Sequence, residues 1–280
     1  MGEIMPISND KNFLILPHRE RKKFKKIPPA IGINIAIELY RNKNILEAFD
    51  CLEQIIDDYP NQSLQTLEVA QQLYENMNTQ NRYELYQKRE YNFPISSKDK
   101  VLDIGSGHLP FPLATHLADI APHDDNYGRG GAHCKFIHNK SFTTCSLEKT
   151  PFRDKEFDFV YCSHVLEHSS NPIAACQELM RIGKRGYIET PTAGKDLFMN
   201  FAKISNHLWN IILVAGILIF IEYSEDEKKG ISCDLIRNMA DHPTTPRERG
   251  MAALMNIKAR NFNTMFMWEE GFEFKIITNK

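Results

Sequence analysis

Three observations predict an α/β fold built on a mostly parallel sheet. From Lys100 onward, short apolar segments alternate with turns and a capped helix, the texture of strands joined by crossovers. The first of these segments, Val101–Ile104, runs directly into Gly105-Ser106-Gly107, which places bare backbone at a strand end. Ahead of it, residues 29–92 carry apolar side chains at helical spacing, so a helical cap is expected before the sheet.

The 280 residues leave room for one elaborated domain or two modest ones. A hydrophobic content of 42% can supply a core and excludes a wholly disordered or collagen-like chain. Thirty-four basic against 36 acidic side chains give a net charge of −2, which argues against a nucleic-acid partner for the whole surface.

Residues 1–28 read as a basic, flexible tail, with Arg19, Arg21, Lys22, Lys23, Lys25 and Lys26 set against the single acid Glu20. Within the cap, Ile33, Ile37, Leu46, Phe49, Leu52 and Ile55 mark helical faces up to a break at Pro60-Asn61. Leu64, Leu67, Ala70 and Leu73 mark a further helix. Ala36, Leu39, Ala48, Leu52 and Pro60 loosely resemble one tetratricopeptide repeat, although a single repeat cannot bury both its faces. Tyr83, Tyr86, Arg89 and Tyr91 form an aromatic and basic approach to the sheet domain, expected over 93–280 with an insertion around 193–263.

Further strands are expected at Thr115–Asp119, Asp158–Cys162 and Gly186–Glu189. Between the last two, Asn171 and Pro172 supply a helix cap and first residue, Ile173, Cys176 and Met180 an apolar face, and Gly183 a stop. Ile211–Ile221 is continuously apolar, but its eleven residues fall short of the roughly 18 that a membrane span needs. Its Ala215-Gly216 centre predicts a buried hairpin. A second hairpin is expected over Phe266–Ile276, around Glu269–Gly271. The charged stretch Glu225–Gly250 reads as a loop marked by Pro243 and Pro246.

The cysteines at 51, 134, 145, 162, 176 and 233 form no C-x-x-C pair and read as reduced intracellular thiols. His133, Cys134 and His138 fit no common zinc spacing, so no metal ligands are expected. The apolar run Phe13–Leu16 is too short for a secretory signal, and Pro6 replaces the Ser or Thr of a myristoylation site. A cytoplasmic protein without a transmembrane segment is expected.

The strand–glycine turn at 101–107 is the strongest chemical signal. In open α/β sheets ligands bind beyond the carboxyl ends of the strands, where strand order reverses. The dinucleotide fingerprint would need a third glycine where Pro110 stands, and the G-K-S/T of a P-loop is missing, so a pyrophosphate ligand is disfavoured.

Four segments in order then carry a resemblance: Val101–Gly107, Leu147-Glu148 before Pro151-Phe152, Phe157–Val160, and Ser163–His168 followed by Asn171-Pro172. Together they resemble the class I S-adenosylmethionine-dependent methyltransferases, in the branch that includes the ubiquinone/menaquinone-biosynthesis type. The resemblance implies a Rossmann-like, seven-stranded, mostly parallel sheet with S-adenosyl-L-methionine as cofactor, here with the helical cap and C-terminal β-hairpin insertions added. It implies that Gly105, Ser106 and Gly107 hold the amino-acid end of the cofactor beside Asp103. Asp119 is implied as the ribose-binding acid, with Asp124 and Asp125 as alternatives, and Pro110 and Pro112 would truncate the first helix. Adenine contact is implied around Ser146, Leu147 and Glu148; many relatives carry Asp where Ser146 stands. Cys162 and Ser163 would end the strand that presents the methyl group.

Methyl transfer is an in-line displacement in which positioning does much of the work. A hydroxyl acceptor gains from a base, for which His168 and His164 are the candidates and His108 a third. The expected activity is methyl transfer to a hydroxyl of a small molecule, lipid or glycan. The alternative is a non-catalytic cofactor-fold adaptor with a helical interaction cap.

Overall fold

Among the described residues of the computed structural model, the strands are Leu14–Ile15 (β1), Val101–Ile104 (β2), His116–Asp119 (β3), Ser141–Thr144 (β4), Phe159–Ser163 (β5), Arg185–Pro191 (β6), Trp209–Val214 (β7), Ile217–Glu222 (β8), Asn263–Glu269 (β9) and Glu273–Ile277 (β10). The structure describes residues 13–126, 131–199, 206–230, 236, 239 and 242–279. The chain divides into two units. One takes residues up to Pro17, Pro94–Ser232 and Phe262 onward; the other takes His18–Phe93 and Cys233–Asn261.

The first unit holds a seven-stranded sheet of order β1-β9-β6-β5-β2-β3-β4. Strands β4, β3, β2, β5 and β6 are parallel, and β9 runs antiparallel beside β6. β1 is antiparallel to β9, through Leu14 opposite Glu269 and Ile15 opposite Trp268, so it runs with the parallel set. The central strands β2 and β5 are buried along their whole length, as expected of near-continuous apolar runs covered on both faces. Gly186 on β6 admits the indole of Trp268: a Cβ there would stand 2.8 Å from its ring and 2.4 Å from the Val160 carbonyl.

The helix after β5 spans Pro172–Ile182. Asn171 caps it through an Ala174 N–H bond of 3.1 Å, Pro172 opens it, and the chain leaves at Gly183. Its buried stripe is Ala175, Cys176, Leu179 and Ile182. The face named from sequence, Ile173-Cys176-Met180, lies one side of that stripe, with Ile173 and Met180 half-buried. No helix follows β2. The residues between β2 and β3 form turns, so Pro110 and Pro112 remove the expected first helix where truncation was anticipated.

Strands β7 and β8 form the first expected hairpin, with Ala215 (φ 50°) and Gly216 (φ 82°) both in the left-handed region that two-residue turns require. The second expected hairpin is not a hairpin. β9 and β10 form at the anticipated places, but β9 joins the large sheet whereas β10 pairs in parallel with β8. Glu270 (φ 65°) and Gly271 (φ 152°) turn the chain between the two sheets.

The second unit is helical: Pro29–Arg41 (α1), Ile45–Asp58 (α2), Ser63–Asn76 (α3) and a π-turn at Tyr83–Gln87 running into Lys88–Glu90 (α4). Here α5 denotes the Pro172–Ile182 helix, α6 Ala193–Phe198, α7 Glu225–Gly230 and α8 Pro246–Ile257. The stretch expected to be a loop at Pro246 is therefore the start of α8. Thr245 and Glu248 form a capping box there, and Pro246 occupies the first helical position, where its missing N–H costs nothing. Ala253 and Ile257 of α8 share a core with Ile33, Phe49, Leu52, Ile55, Ala70 and Leu73, so residues from two distant stretches build this unit.

Residues 13–28, expected to be part of a flexible tail, are held in place, while residues 1–12 lie outside the described residues, as does Cys233. Arg19 pairs with Asp50 at 2.7 Å and donates to the Arg89 carbonyl at 2.8 Å; Arg21 pairs with Glu90 at 2.7 Å and also with Glu53. A mobile basic run becomes fixed because buried carboxylates await it. Arg89 is 1% exposed and sits 2.5 Å from Glu53, its guanidinium also donating to the Ile257 carbonyl. That side chain is committed to the helical core.

Candidate active site

Going outward from β2, the chain adds β3 and β4 on one side, then returns to add β5 and β6 on the other. The strand order reverses between β2 and β5, and the carboxyl ends of these two strands are Ile104-Gly105 and Ser163-His164. This is where an α/β sheet opens a crevice for a ligand.

Gly105 has φ 77° and Gly107 φ 48°, conformations that glycine reaches at little cost. A Cβ on Gly105 would stand 2.3 Å from Val165 Cγ2, so the close approach of the β5 end also demands a bare α-carbon. The turn is tied to β3: the Gly105 and Ser106 N–H groups donate to the Ala118 carbonyl at 2.7 and 3.0 Å. Asp119, the last residue of β3, accepts from Gly107 N–H and from Ala121 N–H, each at 3.0 Å. Asp103 accepts from Phe111 N–H at 2.7 Å and so anchors the far side of the loop.

The hydroxyls of Ser106 and Ser163 are buried and have no hydrogen-bond partner among the described residues, and these residues are 4% and 6% exposed. Buried hydroxyls are nearly always paired, so two orphans at one sheet edge suit a polar ligand.

Beyond β4, Ser146 is half-buried, its hydroxyl accepting from Glu148 N–H at 3.2 Å, and Leu147 joins the sheet core. Glu148 is otherwise engaged. Its carboxylate accepts from the Ser169 hydroxyl (2.8 Å), the Ser170 hydroxyl (3.0 Å) and Asn171 N–H (2.9 Å), which fastens the start of α5. Burial alone would raise its carboxyl, but these donors hold it below the usual glutamate range. Cys162 is fully buried in the core, where burial pushes its thiol far up, so its side chain is not a reactive group.

The turn after β5 gathers charge. His164, at φ 58°, places Nε2 3.1 Å from Glu189 Oε1 and Nδ1 3.2 Å from Glu167 Oε1. Both carboxylates are fully buried, and Glu189 also accepts the Tyr187 hydroxyl. With both ring nitrogens facing carboxylates, His164 bridges β6 and the turn and is poorly placed to take a proton from a substrate. His168 stacks edge-on against His207 at 4.5 Å between ring centres, and burial lowers its pKa although Glu167 opposes the shift. Burial would also lower His207, but the Asp196 hydrogen bond and the Glu167 charge outweigh it and raise the pKa. Burial would raise Glu167; the hydrogen bond from His164 and the nearby imidazoles hold it at about 2.

The site thus brings together Gly105, Ser106, Gly107, Asp103, Asp119 and Ser163 from the expected set. It sends Cys162, Leu147 and Glu148 into structural roles. His207, Asp196 and Glu189 carry no sequence signal of their own; only the fold brings them to β5. His133 lies 2.5 Å from Asp125, and among the described residues His133, Cys134 and His138 do not converge as ligands.

Residues 102–188 match the family model described as a methyltransferase domain. A 50-residue stretch is 46% identical to an uncharacterized methyltransferase of Schizosaccharomyces pombe, and the match spans 18% of each chain. Among solved structures, an S-adenosylmethionine-dependent methyltransferase of Thermotoga maritima, described as a possible histamine N-methyltransferase, is 20% identical. It matches over 35% of this chain and 46% of its own, at a TM-score of 0.27. An S-adenosylmethionine-dependent methyltransferase of Methanosarcina mazei is 13% identical over 64% of this chain and 95% of its own, at a TM-score of 0.33. No helix among the described residues is long and apolar enough to cross a membrane. Within this chain, residues 102–188 are thus similar to a methyltransferase domain.

Proposed function

We propose that this chain transfers a methyl group from S-adenosylmethionine to an acceptor, with a hydroxyl of a small molecule, lipid or glycan as the acceptor class. The observation that carries the reading is the pair of buried, unpartnered hydroxyls of Ser106 and Ser163 beside a glycine turn at the point of strand reversal. When bound, the cofactor supplies an electrophilic methyl group on a cationic sulfur.

The residues present fit that group. The Gly105–Gly107 backbone approaches a ligand without side-chain hindrance, and the Asp119 carboxylate stands beside it at the end of β3, the place of the ribose-binding acid. Ser146 is the polar side chain left near the adenine position once Glu148 is committed to α5. Of the two candidate bases, His168 keeps a neutral ring by burial, whereas His164 is enclosed by Glu167 and Glu189. Catalysis then rests chiefly on holding the acceptor in line, with the buried walls of β2 and β5 excluding water.

Calorimetry of the full chain with S-adenosylmethionine tests cofactor binding, and transfer of a radiolabelled methyl to fractionated cell extract tests activity. Binding and a labelled product are expected. Absence of binding removes the cofactor assignment, and binding without transfer to any fraction favours an adaptor that has kept the cofactor fold.

A further inference from the structure

One cluster beside the sheet edge is not accounted for by cofactor binding. Glu167 and His168 lie in the turn after β5, and His207 lies two residues before β7. One potential ligand atom from each lies within 4.8 Å of the other two. We propose that Glu167, His168 and His207 bind a divalent transition-metal ion of the zinc class, with Asp196 orienting His207. The proposal does not depend on the methyl-transfer reading.

The ligand chemistry comes first. Two imidazoles and one carboxylate are the donor set of three-ligand zinc sites, which keep a fourth position open to water or an exogenous oxygen. Four-coordinate zinc with bonds of roughly 2.1 Å has ligand atoms about 3.4 Å apart, so the cluster must tighten modestly around an ion.

The partners of these residues agree with the assignment. His207 Nδ1 stands 2.9 Å from Asp196 Oδ1, which leaves Nε2 as the ligand atom. Asp196 is itself fully buried and accepts the Tyr223 hydroxyl at 3.1 Å. A carboxylate holding the far nitrogen of a histidine is the usual outer support of a metal-bound imidazole, fixing its tautomer and orientation. The position of His207 is fixed from the next residue, whose N–H donates to the Glu167 carbonyl at 2.7 Å. Trp209 Nε1–H donates to the Ser169 carbonyl at 2.7 Å, tying β7 to the same turn.

The independent pointer to a ligand is Glu167. Its side chain is 0% exposed, and among the described residues its one close polar partner is His164 Nδ1, 3.2 Å from Oε1, which leaves Oε2 without any. A buried carboxylate with one oxygen left unpartnered is expensive to keep, and a metal ion supplies positive charge to it directly. The competing occupant is a proton, which would make His207 an imidazolium lying between Asp196 and Glu167.

The experiment uses the full chain, freed of metal by chelation and then titrated with Zn²⁺ by calorimetry and with Co²⁺ by visible absorption. One equivalent of Co²⁺ should give the intense ligand-field bands of a four-coordinate nitrogen/oxygen site, and Zn²⁺ should displace it. Asp196→Asn, which keeps its shape, should weaken binding about 10–100-fold. Glu167→Gln and His168→Gln should abolish the bands, while His133→Ala should leave them unchanged. Circular dichroism identifies any variant that fails to fold; for such a variant, the Asp196→Asn titration still decides. Lack of one-equivalent binding by folded wild-type protein would overturn the proposal in favour of the proton. So would wild-type affinity in folded Glu167→Gln and His168→Gln.

Discussion

The carboxylate of Asp119 reaches back from the end of β3 to accept the Gly107 N–H at 3.0 Å, so the second glycine of the turn is held by the acid proposed to meet the ribose. One side chain thereby shapes the loop that the cofactor is proposed to meet.

Asp119→Ala should therefore lose affinity for S-adenosylmethionine by about 1–3 kcal/mol, from a missing charged hydrogen bond and an unheld Gly107. Asp119→Asn should fall between the two. Calorimetry checks the order, and equal dissociation constants across the three proteins would move the ribose contact to Asp124 or Asp125.

Gly105→Ala should destabilise the sheet unit by about 1–3 kcal/mol, because the alanine would sit at a positive φ and its methyl would meet Val165. Adding Val165→Ala should remove the collision and leave the backbone strain, recovering part of the loss in urea denaturation. Complete recovery would show that the left-handed conformation itself costs nothing here.

Glu148→Gln separates two roles for one acid. If the side chain serves only to fasten Ser169, Ser170 and Asn171, stability should fall by about 1–3 kcal/mol while cofactor affinity stays within roughly twofold. A tenfold loss of affinity in folded protein would return Glu148 to the adenine site.

In the helical unit, burial would raise the Glu53 carboxyl, but Arg89, Arg21 and Lys258 more than compensate and hold it below its ordinary value. A carboxyl depressed in the folded state stabilises fully above its unfolded pKa, about 4.3, and less as pH falls toward the folded value. Urea denaturation should thus show stability lost on acidification below about pH 4.3, with a shallower slope for Glu53→Gln. Arg89→Met, which takes the buried cation from Glu53 and Glu90 but leaves them Arg21, Lys258 and Arg260, should cost about 1–3 kcal/mol at neutral pH. An identical pH slope in Glu53→Gln would place the acid sensitivity elsewhere.

Local chemistry explains which parts could be read from the sequence. The Val101–Gly107 turn, the Asn171-Pro172 cap and the Ala215-Gly216 hairpin each depend on neighbours in sequence, and each forms as expected. The partners of β9 and β10 could not be read the same way. Alternating side chains mark a strand without choosing its sheet, and a two-residue turn at 270–271 can close a hairpin or hand the chain to another layer. The Pro246 helix was hidden by a proline that signals a break inside a helix but a start at its first position. His207 stands 39 positions beyond His168, and only the placement of β7 beside the β5 turn brings them together.

The interleaving of the two units bears on how the chain comes to be folded. The chain passes from one unit to the other at four places, after residues 17, 93, 232 and 261. During synthesis the first helices emerge long before Ala253 and Ile257, and β1 waits for a partner strand that begins at Asn263. Both units therefore close only when nearly the whole polypeptide has left the ribosome, and a premature stop near residue 250 would leave two unfinished cores. Gene fragments cut at any of the four borders should yield aggregates, whereas a circular permutant opened within an exposed loop would preserve every pairing.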